Sequence, residues 1–517
     1  MSPGPSPEPA FEGFSAAWDA GRPQVVWTRL IDDLETPVSA YLKMAGGRPY
    51  AFLFESVEGG AWRGRYSILA MKPDLVWRCR GDAAEIAEGE AAIAADAFTA
   101  QPGGALDSLR DLVARSRIEL PPGLPPPAAG VYGALGYDMV RLVEALPNVN
   151  PDPLGLPDAV MIRPSVVAVF DAIAQEIVLV TPARPKPGVS ARQAYDAATA
   201  RLSAAVADLR QPLPAADAAP ARAGEADFVT AVSRADYAGI VEQAKAYIAA
   251  GDIFQVVPSH RFSAPFDRPP FALYRSLRRT NPSPFLFYLN FGPFQLVGSS
   301  PEILVRLREG KITIRPIAGT RPRGATPEED AALEAELLAD PKERAEHLML
   351  LDLGRNDVGR VARLREAGRN EPAQGRRTPA VRVTESFVIE RYSHVMHIVS
   401  NVEGDAPEGL DPVDVLMAAL PAGTLSGAPK VRAMEIIDEL EIEKRGLGYA
   451  GAVGYFGADG SVDTCIVLRT GLVKDGTLYV QAGGGVVADS DPDAEYDETL
   501  HKSNALRRAA AEVWRFG

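Results

Sequence analysis

Three acidic-glycine dipeptides constrain the fold of this chain more than any other feature. Asp459-Gly460 and Asp475-Gly476 each divide two strand-like runs, and Glu309-Gly310 separates the runs 304–307 and 311–316. Such a dipeptide tolerates the left-handed backbone that a tight hairpin turn demands. Residues 166–171 and 176–181 read as another hairpin. Consecutive hairpins mean antiparallel pairing. Helical patterns lie between them. Ser233 with Asp236 forms a capping box, Tyr237, Ile240, Val241, Ala244, Tyr247 and Ile248 make one apolar face, and Gly251 ends the helix. The combination predicts an α+β layered architecture of antiparallel sheet and helices, not a doubly wound parallel one.

Strand composition also marks residues 50–56 and 73–79, with Gly64-Arg-Tyr-Ser67 as a polar-aromatic turn between them. Residues 120–128 are proline-rich and must be a loop. The Pro/Ala-rich segment 211–227 is the expected linker between an N-terminal region, 25–210, and a second region, 228–517. Residues 1–24 are expected to be a disordered tail, and residues 366–382 an inserted surface loop.

No apolar run approaches the roughly 20 residues of a membrane-spanning helix. Residues 1–9 lack the basic start and apolar stretch of a signal peptide. Cys79 and Cys465 are the only cysteines, too few for a disulfide framework or a thiolate metal site, so a reducing cytoplasm is expected. A net charge of −14 argues against nucleic acid or anionic lipid as the main partner. An anionic small substrate would need a local basic pocket.

The chemistry gathers on two acidic segments. Pro341 suits the first turn of a helix, Leu348, Leu351 and Leu353 follow at roughly helical spacing, and Glu343 and Glu346 share one face. A second Glu-x-x-Glu pair, Glu495 and Glu498, lies near the C-terminus. A lone pair of this kind is ordinarily a solvated helix face. Two converging pairs would make an oxygen cage for a divalent cation.

Several blocks together resemble the chorismate-utilising enzymes, and within them the anthranilate synthase component I family. They are Gly251-Asp-Ile-Phe-Gln255, Gly298-Ser-Ser-Pro-Glu302, Arg315-Pro-Ile-Ala-Gly-Thr320, Arg391-Tyr-Ser-His-Val-Met-His397, Pro421-Ala-Gly-Thr-Leu-Ser-Gly-Ala-Pro-Lys430 and Gln481-Ala-Gly-Gly-Gly-Val486. Phe54-Glu-Ser56 and Gly133-Ala-Leu-Gly-Tyr-Asp138 add to them. The resemblance implies two packed antiparallel sheets, with helices outside and the active site in the cleft. It also implies a Mg²⁺-dependent reaction: ammonia adds to C2 of chorismate, the C4 hydroxyl leaves, and pyruvate is eliminated as the ring aromatises to anthranilate. This is the first committed step of tryptophan biosynthesis.

Carried over residue by residue, the resemblance makes Glu346 and Glu498 the direct Mg²⁺ ligands, with Glu343 and Glu495 in or just behind that shell. Glu302 matches the general acid. Gln255 stands where water-adding relatives carry a lysine; ammonia is already a nucleophile and needs no such base. Arg469 is implied as the clamp on the enolpyruvyl carboxylate, assisted by Tyr449 and the Gly483-Gly484-Gly485 run. Gly319 and Thr320 would approach the ring carboxylate. Lys502 is either a helix ion pair with Glu498 or a donor to that carboxylate. His397 matches the active-site histidine, with His394 on the opposite side of the same run. Thr424 is implied as a further catalytic residue, in a glycine-rich loop that lacks the spacing of a phosphate-binding loop.

Tryptophan, as feedback inhibitor, would be held by Glu55, Ser56, Asn281, Pro282, Ser283, Pro284, Phe285 and Leu286, with Val453 and Tyr455. Neither cysteine lies in a nucleophile turn, so ammonia is expected from a separate glutamine amidotransferase subunit in a hetero-oligomer. Two other readings stay open: an aminodeoxychorismate synthase component I, against which Ala318 stands in place of a lysine, and a non-catalytic tryptophan-sensing subunit.

Overall fold

Each hairpin expected from the acidic-glycine dipeptides forms, and the strand pairs are antiparallel. The structure is a computed structural model that describes residues 6–56, 65–147, 149–214, 227–366, 380–392 and 395–516. Glu309 (φ 51°) with Gly310 (φ 70°), and Asp475 (φ 49°) with Gly476 (φ 70°), place both central residues in the left-handed region. That is the two-residue turn matched to strand twist. Asp459-Gly460 behaves differently. Phe456 pairs with Val462, so residues 457–461 form a longer loop, closed by Ser461 donating from its N–H (2.9 Å) and hydroxyl (2.6 Å) to the Asp459 carboxylate.

Among the described residues, 21 strands join into one hydrogen-bonded network, beside a ribbon of Gln255–Val256 with Gly427–Ala428. Period-two alternation divides the buried side chains into layers. In strand Ala159–Asp171, Val167 and Val169 face an inner cluster with Phe52, Tyr132, Phe287 and Val453. Val166, Ala168 and Phe170 face outward, beneath Leu202, Leu273 and Leu506 of three helices. A second outer cluster packs Trp77 and Leu304 under Leu109, Leu351 and Leu416. The result is two packed sheet layers with helices outside, as expected.

The expected boundary near 211–227 does not divide the fold. Strand Ala51–Glu55 pairs with Phe285–Asn290, and Gly130–Leu135 pairs with Ala452–Gly457. Of the linker, residues 215–226 lie outside the described residues, as do 367–379 of the expected insertion. The disordered tail is also corrected. Phe11–Asp19 is a helix whose Phe14 and Trp18 are buried, and Glu8 bridges to Trp27. Two aromatic anchors outweigh the proline-rich start. Tyr66 and Ser67, expected in a turn, begin strand Tyr66–Arg80.

Helix Pro341–Glu366 begins with the Asp340 carboxylate accepting from the N–H groups of Lys342 (2.9 Å) and Glu343 (3.3 Å). Its buried face is His347, Leu350, Leu351, Val358 and Val361, while Leu348 is 51% exposed. The apolar face is therefore rotated from the one expected, and the two glutamates lie at its edge. Helix Pro492–Glu512 is capped in the same way, by Asp491 accepting from Ala494 N–H at 2.9 Å. No helix among the described residues is long and apolar enough to cross a membrane.

Candidate active site

Glu302 follows strand Phe294–Ser300 through Pro301 and opens strand Ile303–Arg308. It is 8% exposed. Burial pushes its carboxyl up to about 8, against the Ile317 N–H and the Thr424 hydroxyl, which favour the charged form. The acid is therefore protonated at neutral pH. Thr424 Oγ1 lies beside it, buried and without hydrogen-bond geometry to any partner.

His397 sits on strand Val395–Asp405, opposite Thr320 of Ile317–Pro322. Its Nδ1 is 3.0 Å from the Gly319 carbonyl oxygen and 3.1 Å from Thr320 Oγ1. A carbonyl only accepts, so Nδ1 carries the proton and Nε2 is left as an acceptor. Burial, with Arg469 nearby, lowers the imidazole pKa and keeps the ring neutral. The strand bulges at Gly319, where φ is 67°. A Cβ there would stand 3.0 Å from Leu337 Cδ1 and 3.1 Å from Glu343 Oε2, so glycine is needed on both counts. His394 lies outside the described residues.

Arg469 lies between two strands. Val462–Ile466 ends earlier, and Arg469 occupies the connection to Thr470–Lys474 with φ 50°. Burial lowers its pKa, while Tyr449 and Glu498 act in the opposite direction. Tyr449 is 3% exposed, and burial pushes its phenol up to about 12. A half-buried guanidinium and a buried phenol, both donors, make a seat for a carboxylate.

The three successive glycines each back a different candidate side chain. A Cβ on Gly483 would lie 3.0 Å from the Tyr449 hydroxyl, one on Gly484 2.7 Å from Glu495 Oε2, and one on Gly485 2.5 Å from Gln255 Nε2. Gln255 is buried, and its Oε1 has no partner. A neutral acceptor is thus free beside the glycine run.

The two acidic pairs come within electrostatic range of each other. Burial, then Glu343, with Glu498 adding, raises the Glu346 pKa; burial, with Glu498 adding, raises that of Glu495. Yet no three acidic, cysteine or histidine side chains among the described residues form a ready metal cluster. Arg321 Nη1 holds Glu343 at 3.1 Å, Lys502 Nζ holds Glu498 at 2.6 Å, and the Ser490 hydroxyl donates to Glu495 at 2.7 Å. Glu495 Oε2 remains buried without a partner. Crowded, under-compensated carboxylates with an orphaned oxygen fit a divalent cation. Lys502 makes the helix ion pair and also donates to the Gly483 carbonyl at 3.0 Å.

The expected tryptophan elements are divided by the sheet. Glu55 and Leu286 are cross-strand partners. The Glu55 carboxylate is engaged by Arg278 Nε (2.8 Å) and Nη2 (3.1 Å) and by the Tyr274 hydroxyl, so it is not a free ligand. Phe285, Val453 and Tyr455 pack in the inner cluster on the opposite face. Pro282, Ser283 and Pro284 link the preceding helix to strand Phe285–Asn290. Asn281 Nδ2 donates to Ser299 Oγ (3.2 Å), and Ser299 N–H donates to the Arg469 carbonyl at 3.2 Å.

Two features escape sequence reading. Arg321 gathers Glu336 (2.9 Å), Asp340 (2.9 Å) and Glu343 at the start of the acidic helix; its place next to Thr320 was the available signal. The buried Arg445–Glu441 pair lies behind Tyr449, and only its i,i+4 spacing hinted at it.

A family model described as chorismate binding enzyme matches residues 72–508. Fold and site thus define a chorismate-binding class. Anthranilate synthase component 1 of Cereibacter sphaeroides is 59% identical over 507 residues, covering 98% of each chain. That of Pseudomonas putida is 49% identical over 487 residues, covering 93% of each. The crystal structure of anthranilate synthase component I from Streptococcus pneumoniae matches with a TM-score of 0.72 at 35% identity, covering 92% of this chain and 99% of that one. The menaquinone-specific isochorismate synthase of Escherichia coli, at TM-score 0.66, 18% identity and coverage of 97% and 99%, shares the fold. The chain belongs to the chorismate-binding enzymes, in the anthranilate synthase component 1 family.

Proposed function

We propose that this chain converts chorismate and ammonia to anthranilate, pyruvate and water, as the synthase subunit of a cytoplasmic heteromer with a glutamine amidotransferase, in tryptophan biosynthesis. The buried Glu302 carboxyl carries the reading. It holds a proton at neutral pH, and a hydroxyl leaves carbon readily only as water. Glu302 donates that proton to the C4 oxygen. The Gln255 oxygen accepts an N–H of ammonia and orients its lone pair toward C2. The resulting ammonium sheds one proton, so the step needs no net proton uptake.

Arg469 and Tyr449 hold the enolpyruvyl carboxylate, and Gly483 to Gly485 leave room for it. His397, neutral with Nε2 as acceptor, orients the substrate beside Gly319 and Thr320. Glu346 and Glu498, with Glu343 and Glu495 behind them, would hold Mg²⁺, which when bound neutralises the ring carboxylate and withdraws electron density from the ring. The nearest alternative, aminodeoxychorismate formation, is disfavoured by Ala318, whose methyl group cannot attack.

Tryptophan is proposed to bind at Ser56, Asn281 to Phe285, Val453 and Tyr455, biasing the sheets against turnover. The test is product mass and fluorescence from chorismate, Mg²⁺ and free ammonia, with and without tryptophan. Absence of anthranilate sinks the catalytic reading. Inhibition unchanged by Ser56→Phe sinks the tryptophan site.

A further inference from the structure

Arg445 is 3% exposed and sits behind Tyr449 of the candidate site. Its guanidinium donates to three separate segments. Nε donates to Glu441 Oε2 at 3.0 Å, Nη1 to the Leu425 carbonyl at 2.6 Å, and Nη2 to the Val257 carbonyl at 2.7 Å. The guanidinium carbon lies 5.3 Å from the Tyr449 ring centroid and 4.8 Å from that of Tyr137. Glu441 extends the grip, accepting from the Ser259 N–H (2.7 Å) and hydroxyl (2.8 Å). Ser259 in turn pairs with Gly483.

Each anchored position is next to a candidate site residue in sequence or register. Leu425 follows Thr424, Val257 lies two residues beyond Gln255, Ser259 backs Gly483, and Tyr449 is stacked directly. These segments come from parts of the chain far apart in sequence and meet around one planar fork. A lysine could not reproduce this: it has one donor centre where the arginine has three.

We propose that Arg445, held by Glu441, is the positioning residue that sets the mutual spacing of Gln255, Thr424, Tyr449 and Gly483. The inference rests on the functional reading above, because those four residues must act on one substrate. Arg445 acts through the backbone of its neighbours and exchanges no proton with the substrate.

Removing one member alone would leave a buried charge unpaired, so the test uses the apolar double variant Arg445→Met with Glu441→Leu. Far-UV circular dichroism and the unfolding temperature establish that it folds. Ammonia-dependent kcat is expected to fall about 100-fold, since small misplacements of reacting groups cost that much, and KM for chorismate to rise by a smaller factor, because Tyr449 and Gly483 belong to the carboxylate seat. Adding Gln255→Ala should then lower kcat far less than it does in the parent, because the two act as one unit. Should the double variant not fold, Arg445→Lys carries the same comparison. A folded variant with kcat within about 3-fold of the parent, or one in which Gln255→Ala keeps its full effect, overturns the inference. A parent that makes no anthranilate from ammonia overturns the functional reading itself, and this inference with it.

Discussion

Replacing Glu302 by glutamine keeps the side-chain volume and removes the proton that the buried carboxyl would donate. Burial holds that carboxyl at about 8, against 4.5 for a free glutamate. Between those values it is protonated in the folded chain and ionised in the unfolded one. Its contribution to stability is therefore complete below 4.5 and is lost as pH rises through about 8. Each pH unit in that window is worth about 1.4 kcal/mol. At pH 7 the native carboxyl thus destabilises the fold by up to about 3 kcal/mol relative to a group that does not titrate. Glu302→Gln should raise the denaturant midpoint at pH 7, and raise it much less at pH 5. The same change should lower kcat by about 10²- to 10⁴-fold, or roughly 3–5 kcal/mol of transition-state stabilisation. In the parent, kcat at fixed free-ammonia concentration should fall as pH passes about 8, and the variant should lose that limb. A variant no more stable than the parent at pH 7, or one retaining kcat within about 10-fold, would refute the reasoning.

Three further changes probe the rest of the site. Arg469→Met should cost about 2–3 kcal/mol of chorismate recognition, a loss of about 30- to 150-fold in kcat/KM measured by steady-state kinetics. Gly485→Ala places a Cβ 2.5 Å from Gln255 Nε2, so its kinetics should copy those of Gln255→Ala; normal turnover would mean that Gln255 is dispensable. Glu346→Gln and Glu498→Gln should each raise the Mg²⁺ concentration for half-maximal turnover by at least about 10-fold, and chelator should abolish turnover in the parent.

Local chemistry made the hairpins and helix caps readable. Glu309-Gly310 and Asp475-Gly476 specify their own backbone, and Ser233 and Asp236 cap a helix without help from distant residues. Long-range packing was not readable in this way. The buried face of helix Pro341–Glu366 was misplaced because Leu348 looks apolar, whereas its exposure depends on which sheet strands lie beneath. The helix at Phe11–Asp19 was missed because its stability comes from Phe14 and Trp18 docking on a neighbouring layer, not from its proline-rich start. At the candidate site, residue types and order were legible, and so were their neighbours. The engagement of Glu55 by Arg278 and Tyr274, and of Glu343 by Arg321, was not. Those pairings join side chains far apart in the chain, which no spacing rule reports.

The strand seams between Ala51–Glu55 and Phe285–Asn290, and between Gly130–Leu135 and Ala452–Gly457, bear on how such a chain can change over generations. Neither half owns a finished sheet, since each presents open edges that the other fills. Exchanging one half for that of a relative would succeed only where both seams still fit. Substitutions along one side of a seam should therefore be answered by substitutions opposite them, and the two halves drift as a single heritable unit.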